Sequence, residues 1–357
     1  MTESRRPGVI GWPLLALATA LIIVTVLSAV PTNEGWARIW DFPRMQFAVL
    51  GAVLVVILLL FRAWAWGWAA SAVIALLAAS VLYSAWRLAP YQPAWPSDIA
   101  NAGQCPADAR VSVLVANLLQ SNDQHEQALR VLSAASADVM VLLEVDKAWL
   151  AALRPLTDRY SHRVLEPRDN TYGMAVFSRL PLSDTRTLST FGDDTPLITG
   201  VLWTPDGQGV RLWAIHPRPP RLTQDTADRD AELVMTARQV RAQPGPAIIA
   251  GDLNDVAWSR TTTLLKDVSG TLDPRIGRSP VPTFNAHWPA GLRWPLDDVF
   301  ATGDFTLLGL SRLGRTGSDH FPYRVELCLE RPGAATPSVS EDALERSREI
   351  VEEGRED

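Results

Sequence analysis

The stretch IIAGDLND, residues 248–255, decides how the rest of the chain is read. An apolar run, a glycine, then Asp252, Asn254 and Asp255 describe a buried strand ending in a turn that carries two carboxylates and a carboxamide. Sheet proteins commonly build sites from such groups at the C-terminal ends of strands. Asp and Asn are equally ordinary there as turn formers and helix caps, so the stretch needs company before it means chemistry.

Working outward, the same pattern recurs. VSVLVAN (111–117) is a strand ending on Asn117, and DVMVLLEV (138–145) is another with Glu144 near its end. LITGVLW (197–203) and GVRLWAI (209–215) form a strand pair joined through Pro205, Asp206 and Gly207, and the second runs into His216. YGMAVFSRLPL (172–182), LDDVFAT (296–302), FTLLGL (305–310) and FPYRVELCL (321–329) supply further strands, with SDH at 318–320 opening the last. Helices are expected through HEQALRVLSAASA (125–137), TADRDAELVMTARQV (226–240) and SRTTTLLKDV (259–268). This mixture of βαβ units and hairpins over residues 110–330 implies an α/β domain with a mixed sheet or two packed sheets and helices outside.

The front of the chain is different. Residues 9–30, 45–61 and 68–86 are three nearly uncharged apolar runs, each near the roughly 20 residues a helix needs to cross a bilayer. Trp12, Trp40, Trp64, Trp66, Trp68 and Trp86 flank them, as amphipathic rings do at membrane interfaces. Residues 1–90 are therefore expected to be an anchor of three transmembrane helices. Arg5, Arg6 and Arg62 place the N-terminus on the cytoplasmic side, although Arg38 and Arg44 weaken the charge bias. An odd number of crossings then delivers the domain to the extracytoplasmic face of the inner membrane; a cleaved first run would leave it on the same side. Residues 91–109, rich in Pro, Ala and polar side chains, are expected to be a linker. Cys105 and Cys328 either join the domain's ends as a disulfide or remain two free buried thiols.

Taken in order, Asn117, Glu144, GMAVFSR (173–179), His216, GDLN (251–254), LDDVF (296–300) and SDHFP (318–322) resemble the motifs of the endonuclease/exonuclease/phosphatase superfamily of metal-dependent phosphoesterases. The resemblance implies a four-layer α/β/β/α sandwich. It implies that Glu144 binds a divalent metal, Mg²⁺ with Mn²⁺ as the alternative, with Asn117 and Asp319 beside it, since hard oxygens suit that ion. Asp252 would orient or deprotonate the attacking water, and Asn254 would bind the nucleophile or a phosphate oxygen. His320, held by Asp297, would stabilise charge on the phosphate, and His216 would help protonate the leaving oxygen.

The departures from the pattern bear on substrate. Trp213, Ala214 and Ile215 precede His216 where many nucleases of the superfamily carry a polar residue. Arg218 and Arg221 after it either grip a second phosphate or belong to a solvated proline-rich loop. Trp258, Trp288 and Trp294 either form an apolar or stacking rim or are simply packed inside. The formal charge is −6, of which residues 331–357 account for −4 through eight acidic residues against four arginines. The domain is thus nearly neutral, without the basic footprint of a nucleic-acid specialist, and the tail is expected to be disordered or at most a frayed solvated helix.

The reading is a membrane-anchored phosphoesterase acting on a phosphate ester or pyrophosphate, with a lipid-linked substrate favoured over nucleic acid. An extracytoplasmic nuclease and a non-catalytic binding domain on the same fold stay open as alternatives. Nothing in the sequence points to a protein partner.

Overall fold

The computed structural model describes residues 8–61, 63–189, 195–330, 333–334 and 336–356. The chain divides into two compact units, Met1–Pro90 with Pro220–Thr226, and Tyr91–Pro219 with Ala227–Asp357.

In the first unit the three apolar runs fold as α1 (Gly11–Ala29), α3 (Arg44–Leu60) and α4 (Trp68–Leu88), with a short α2 (Gly35–Arg38) between the first two. Leu15, Ala18, Leu21, Leu54, Leu58, Ile74 and Leu77 pack together inside, while Val49, Leu60 and Leu82 point outward and are exposed. Two helices, Gly11–Ala29 and Trp68–Tyr91, are by themselves long and apolar enough to cross a membrane, where the sequence led us to expect three. The middle one is the exception. At 17 residues and a 1.5 Å rise per residue it spans ~26 Å, short of the ~30 Å hydrocarbon core, and it is long enough only together with Gly35–Asp41, from which it is bent by 68°. Arg38 and Arg44, read from sequence as loop charges, are both buried and both paired with Asp41; Arg44 also donates to Ser28 Oγ at 2.9 Å. Arg5, Arg6 and Arg62, on which the orientation rests, and the Trp64 ring lie outside what is described.

The second unit holds β1 (Arg110–Asn117), α5 (His125–Ala135), β2 (Val139–Leu143), α6 (Lys147–Ala152), β3 (His162–Glu166), β4 (Met174–Ser178), β5 (Leu182–Ser189), β6 (Pro196–Trp203), β7 (Gly209–Ile215), α7 (Ala227–Ala242), β8 (Ala247–Asp252), α8 (Arg260–Ser269), β9 (Asp297–Ala301), β10 (Phe305–Arg312), β11 (Tyr323–Leu329) and α9 (Glu341–Glu356). The strands make two sheets, one ordered β10-β11-β1-β2-β4-β3 and one ordered β5-β6-β7-β8-β9. Strand parity explains the layering, because side chains alternate between faces. Val111, Val113, Val115, Val139, Val141, Leu212, Ala214, Ile248, Ala250 and Val299 meet between the sheets. Their neighbours Leu114, Ala116, Met140 and Leu142 face α5 and α6, and Trp213, Ile215, Ile249 and Phe300 face α7, α8 and α9. The result is the expected order of helix, sheet, sheet, helix.

Several regions depart from the sequence reading, β3 among them, where no strand was expected. Residues 91–109 are laid against the domain instead of hanging free: Tyr91 donates to the Ala257 carbonyl at 2.6 Å and meets Trp258 edge-on, and Ile99 joins the core between the sheets. Their Pro-rich composition resembles a linker because it forms little regular structure, yet two apolar anchors suffice to dock it. The tail, expected to be disordered or at most a frayed solvated helix, carries a packed α9, which lays Ala343, Ser347, Ile350 and Val351 toward α7. That apolar stripe is only four small or aliphatic residues wide in a run of charges, so composition hides it. The exposed β5 was missed because LSDTRTLS has little strand character and lies at a sheet edge. Cys105 and Cys328 are joined as a disulfide with Cα atoms 5.9 Å apart, made possible by the antiparallel pairing of β1 with β11, which sets Arg110 opposite Cys328.

Candidate active site

Strand parity also builds the site. Continuing the series that faces the other sheet gives 113, 115, then Asn117; 248, 250, then Asp252; 212, 214, then His216; and, backwards along β9, 301, 299, then Asp297. Four polar residues thus emerge where the inner faces of both sheets run out.

Hydrogen bonds join three of them, Asn117, Asp252 and Asp297, through Glu144 and His320, while His216 stands beside the network without a bond to it. The Asn117 side-chain amide donates to Glu144 Oε1 at 2.9 Å and to Asp252 Oδ2 at 3.1 Å, while its own Oδ1 accepts from the Leu119 N–H at 3.0 Å. Glu144 Oε2 accepts from the Gln120 N–H at 3.0 Å. Asp252 Oδ1 accepts from the Asn254 N–H at 2.9 Å. His320 bridges the far side, with Nδ1 2.8 Å from Asp297 Oδ2 and Nε2 3.5 Å from Asp252 Oδ2. Leu119, Glu144 and Asn254 all have positive φ, at 58°, 59° and 50°. Left-handed backbone at non-glycine residues costs of order 1–3 kcal/mol each and gathers where a site has to be held in one shape.

Electrostatics separates the members. Burial alone would pull the His320 pKa down, but the charges of Asp297 and Asp252 and the hydrogen bond that the ring donates to Asp297 outweigh it and raise it to about 10. The ring is therefore an imidazolium at neutral pH. Burial raises the Asp252 pKa, against the pull of His320, and makes it a stronger base than an ordinary carboxylate. His216 goes the other way: it is buried, its Nδ1 has no hydrogen-bond partner, and burial lowers its pKa and keeps it neutral. Tyr172 lies beside it with ring centres 5.7 Å apart.

Of the residues named from sequence, Asn117, Glu144, Asp252, Asp297 and His320 form one bonded network. Asn254 borders it, its side chain donating to the Pro217 carbonyl at 2.9 Å. Asp319 is half-buried and contributes to the charge felt by His320, but has no hydrogen bond to Asn117 or Glu144. Asp255 of the opening stretch is structural, accepting from Ser259 Oγ at 2.6 Å. Arg218 is paired with Asp228, and Arg221 falls in the first unit. Trp258 is buried, whereas Trp288 and Trp294 cluster with Phe284, whose ring lies 4.8 Å from that of His320. Sequence reasoning missed Arg229. It donates to the Asn254 carbonyl at 3.1 Å and pairs with Asp230 and Asp255, fixing the turn from below; its only signal was a basic residue in the first turn of a helix, where basic residues are unfavourable.

The arrangement fits a divalent cation. Glu144, Asp252 and Asp297 bring three carboxylates against the one imidazolium, and the half-buried Glu144 opens the cluster to solvent. Asp252, Asp297 and His320 also present ligand atoms within 4.8 Å of one another, a buried group able to hold an ion. Of the two ends the Glu144 and Asn117 end suits such an ion better, because both nitrogens of a protonated His320 are already directed at carboxylates.

Comparison with known proteins agrees with the geometry. Residues 111–320 match the profile described as the Endonuclease/Exonuclease/phosphatase family. No curated protein matches the chain. Among solved structures, the endonuclease/exonuclease/phosphatase from Beutenbergia cavernae DSM 12333 is 20% identical with a TM-score of 0.52, covering 66% of this chain and 76% of that one. TDP2 of D. rerio complexed with single strand DNA product is 16% identical with a TM-score of 0.51 over 61% of this chain and 99% of its own. The Bacteroides vulgatus endonuclease/exonuclease/phosphatase is 15% identical with a TM-score of 0.50, over 62% and 99%. At these identities the structures speak for the fold, and the profile match, which spans more than half of the chain, for the family: this chain belongs to the Endonuclease/Exonuclease/phosphatase family.

Proposed function

We propose that this chain is a metal-dependent phosphoesterase, held in the inner membrane by its N-terminal helices, that hydrolyses a lipid-linked phosphate at the outer face. The observation that carries the hydrolytic reading is the His320 imidazolium fixed between Asp297 and Asp252, beside a half-buried Glu144. Family members are generally phosphoesterases or nucleases. Two helices of membrane-crossing length in the same chain favour a substrate confined near a bilayer. The net charge of −6 disfavours a polyanionic strand, and the Cys105–Cys328 disulfide favours an oxidising, extracytoplasmic compartment.

In this mechanism Asp252, oriented by the Asn254 N–H and the Asn117 amide, takes a proton from the attacking water; its burial raises its affinity for that proton. His320, kept charged by Asp297, faces the negative charge that grows on the phosphate oxygens. Neutral His216 supplies an N–H to the leaving oxygen as charge develops there. Asn254 and the backbone that Arg229 holds beneath it keep the turn in place. Glu144 and Asn117 would hold Mg²⁺ or Mn²⁺, which would supply Lewis-acid polarisation of a phosphate oxygen.

The test is turnover by the full chain in detergent of a chromogenic phosphodiester, DNA and a polyprenyl diphosphate, with Mg²⁺ and with chelator. Lipid turnover that needs metal is the expected result. Preference for DNA, of the kind the D. rerio structure with its DNA product represents, would replace the lipid reading with a nuclease one. A reporter fused after residue 330 that is active only in the cytoplasm would overturn the placement.

A further inference from the structure

Three arginines converge beside the candidate active site from separate stretches of chain. Arg293 precedes β9, Arg312 ends β10, and Arg315 lies in the loop leading to Ser318, Asp319 and His320. Their guanidinium carbons lie 4.8, 4.5 and 5.7 Å from the centre of one ring, that of Phe321. Phe321 is the residue after His320, and its position is fixed: its N–H donates to the Thr283 carbonyl at 3.0 Å, and the neighbouring Phe284 pairs through its backbone with His320.

Among the described residues none of the three arginines forms an ion pair. Arg293 Nε donates to the Trp288 carbonyl at 2.9 Å and an Arg312 Nη to the Pro282 carbonyl at 2.8 Å, both neutral acceptors. Arg211, Arg218, Arg229, Arg275 and Arg324 of the same unit each have a carboxylate partner, in a chain with 39 acidic residues against 33 basic ones. Arg159, Arg179, Arg241 and Arg278 likewise bond only neutral acceptors, so what distinguishes this cluster is that three guanidinium groups, those of Arg312 and Arg315 exposed, gather on one ring without a carboxylate. Like charges held around a single ring repel, and the Phe321 ring offsets only part of that. Burial, and next the charge of Arg293, lower the pKa of Arg312, as expected where positive charge has no counter-ion. Arg293 is only 9% exposed, so it cannot swing away into solvent.

We propose that Arg293, Arg312 and Arg315 form a subsite for a second phosphate, the other phosphate of a diphosphate whose reacting phosphate lies at His320. Guanidinium groups present forked N–H pairs that match phosphate oxygens. The cluster borders the site through side chains: Arg293 holds the Trp288 carbonyl, Trp288 packs with Phe284, and the Phe284 ring lies against that of His320. Arg218 does not compete for the role, since it is paired with Asp228. The subsite rests on the phosphoesterase reading for its meaning but not for its existence as an anion site, and the experiment separates the two.

The measurement is kcat/KM of the full chain in detergent for a polyprenyl diphosphate and for the corresponding monophosphate, in wild type, Arg312→Gln and Arg315→Gln, with thermal melts to establish folding. The expected result is that the diphosphate-to-monophosphate ratio falls at least about ten-fold in each variant. An unchanged ratio, or a loss confined to cleavage of a DNA oligonucleotide, overturns the assignment. In parallel, calorimetric titration with methylenediphosphonate and with inorganic phosphate reads the subsite without turnover. Tighter binding of the diphosphonate that Arg312→Gln and Arg315→Gln abolish supports the subsite even if no substrate is cleaved; equal binding of the two probes by wild type overturns it.

Discussion

Asp297 and Asp298 are consecutive on β9, and strand alternation sends them into two different buried ionic clusters. Asp298 turns outward to the helices, where Arg275 bridges it to Asp273 and Lys266 approaches Asp273 at 3.6 Å. Asp297 turns inward to His320 and Asp252. The first cluster sets two cations against two carboxylates and is buried except at the edge of Lys266; Tyr91 beside it has its pKa pushed up to about 12 by burial. The second sets three carboxylates, counting Glu144, against one imidazolium and opens at Glu144. Both contain buried polar atoms without partners, so orphaned atoms do not separate a site from a structural core here. Charge imbalance at an opening does, because only an external cation or a proton relieves it.

Exchanging one member of each cluster is the strongest way to break that contrast. Asp252→Asn is expected to lower kcat by about 10³-fold, within the range for losing a positioned base, while the melting temperature stays near that of wild type. A comparable fall in stability would make the inner cluster structural too. Arg275→Met should do the reverse: leaving Asp273 and Asp298 buried without their shared cation is expected to cost about 3–5 kcal/mol in denaturant unfolding, with turnover of the folded fraction little changed.

A pH series sharpens the comparison within the inner cluster. Since the folded His320 pKa of about 10 lies above its ordinary value of 6.5, its contribution to stability is full below that ordinary value and is lost as pH rises through about 10. Asp297→Asn is expected to bring that loss to lower pH, visible in the imidazole resonances, and to reduce kcat about 10- to 100-fold. An alkaline limb that does not move would mean that Asp297 does not hold the proton.

The smallest effect concerns a buried acid that belongs to neither cluster. Burial pushes the Glu232 carboxyl on α7 to about 8, against the hydrogen bond from Thr195. A carboxyl raised above its ordinary 4.5 costs stability progressively as pH climbs from that value to about 8. Glu232→Gln should therefore stabilise the protein by of order 1–3 kcal/mol at pH 8 and by almost nothing at pH 4. Equal melting temperatures at both would show that the carboxyl is charged and satisfied when folded.

What the sequence determined by itself follows from local rules. Apolar alternation and the turn after it located β8 and Asp252; the same logic found the strands that end on Asn117, Glu144 and His216, because a side chain's face is decided by its place in its own strand. Uninterrupted apolar runs located α1, α3 and α4, although not that α3 is too short to span alone. Other features needed the fold. Asp297 and Asp298 are adjacent and chemically identical, and only the layers packed on either side of β9 give one a histidine and the other an arginine. Arg293, Arg312 and Arg315 carry no common spacing and meet only around Phe321. Arg229, the docking of α9 and the Cys105–Cys328 bond likewise join segments far apart in the chain. Local propensity reads one element at a time, whereas these contacts depend on which elements packing makes neighbours.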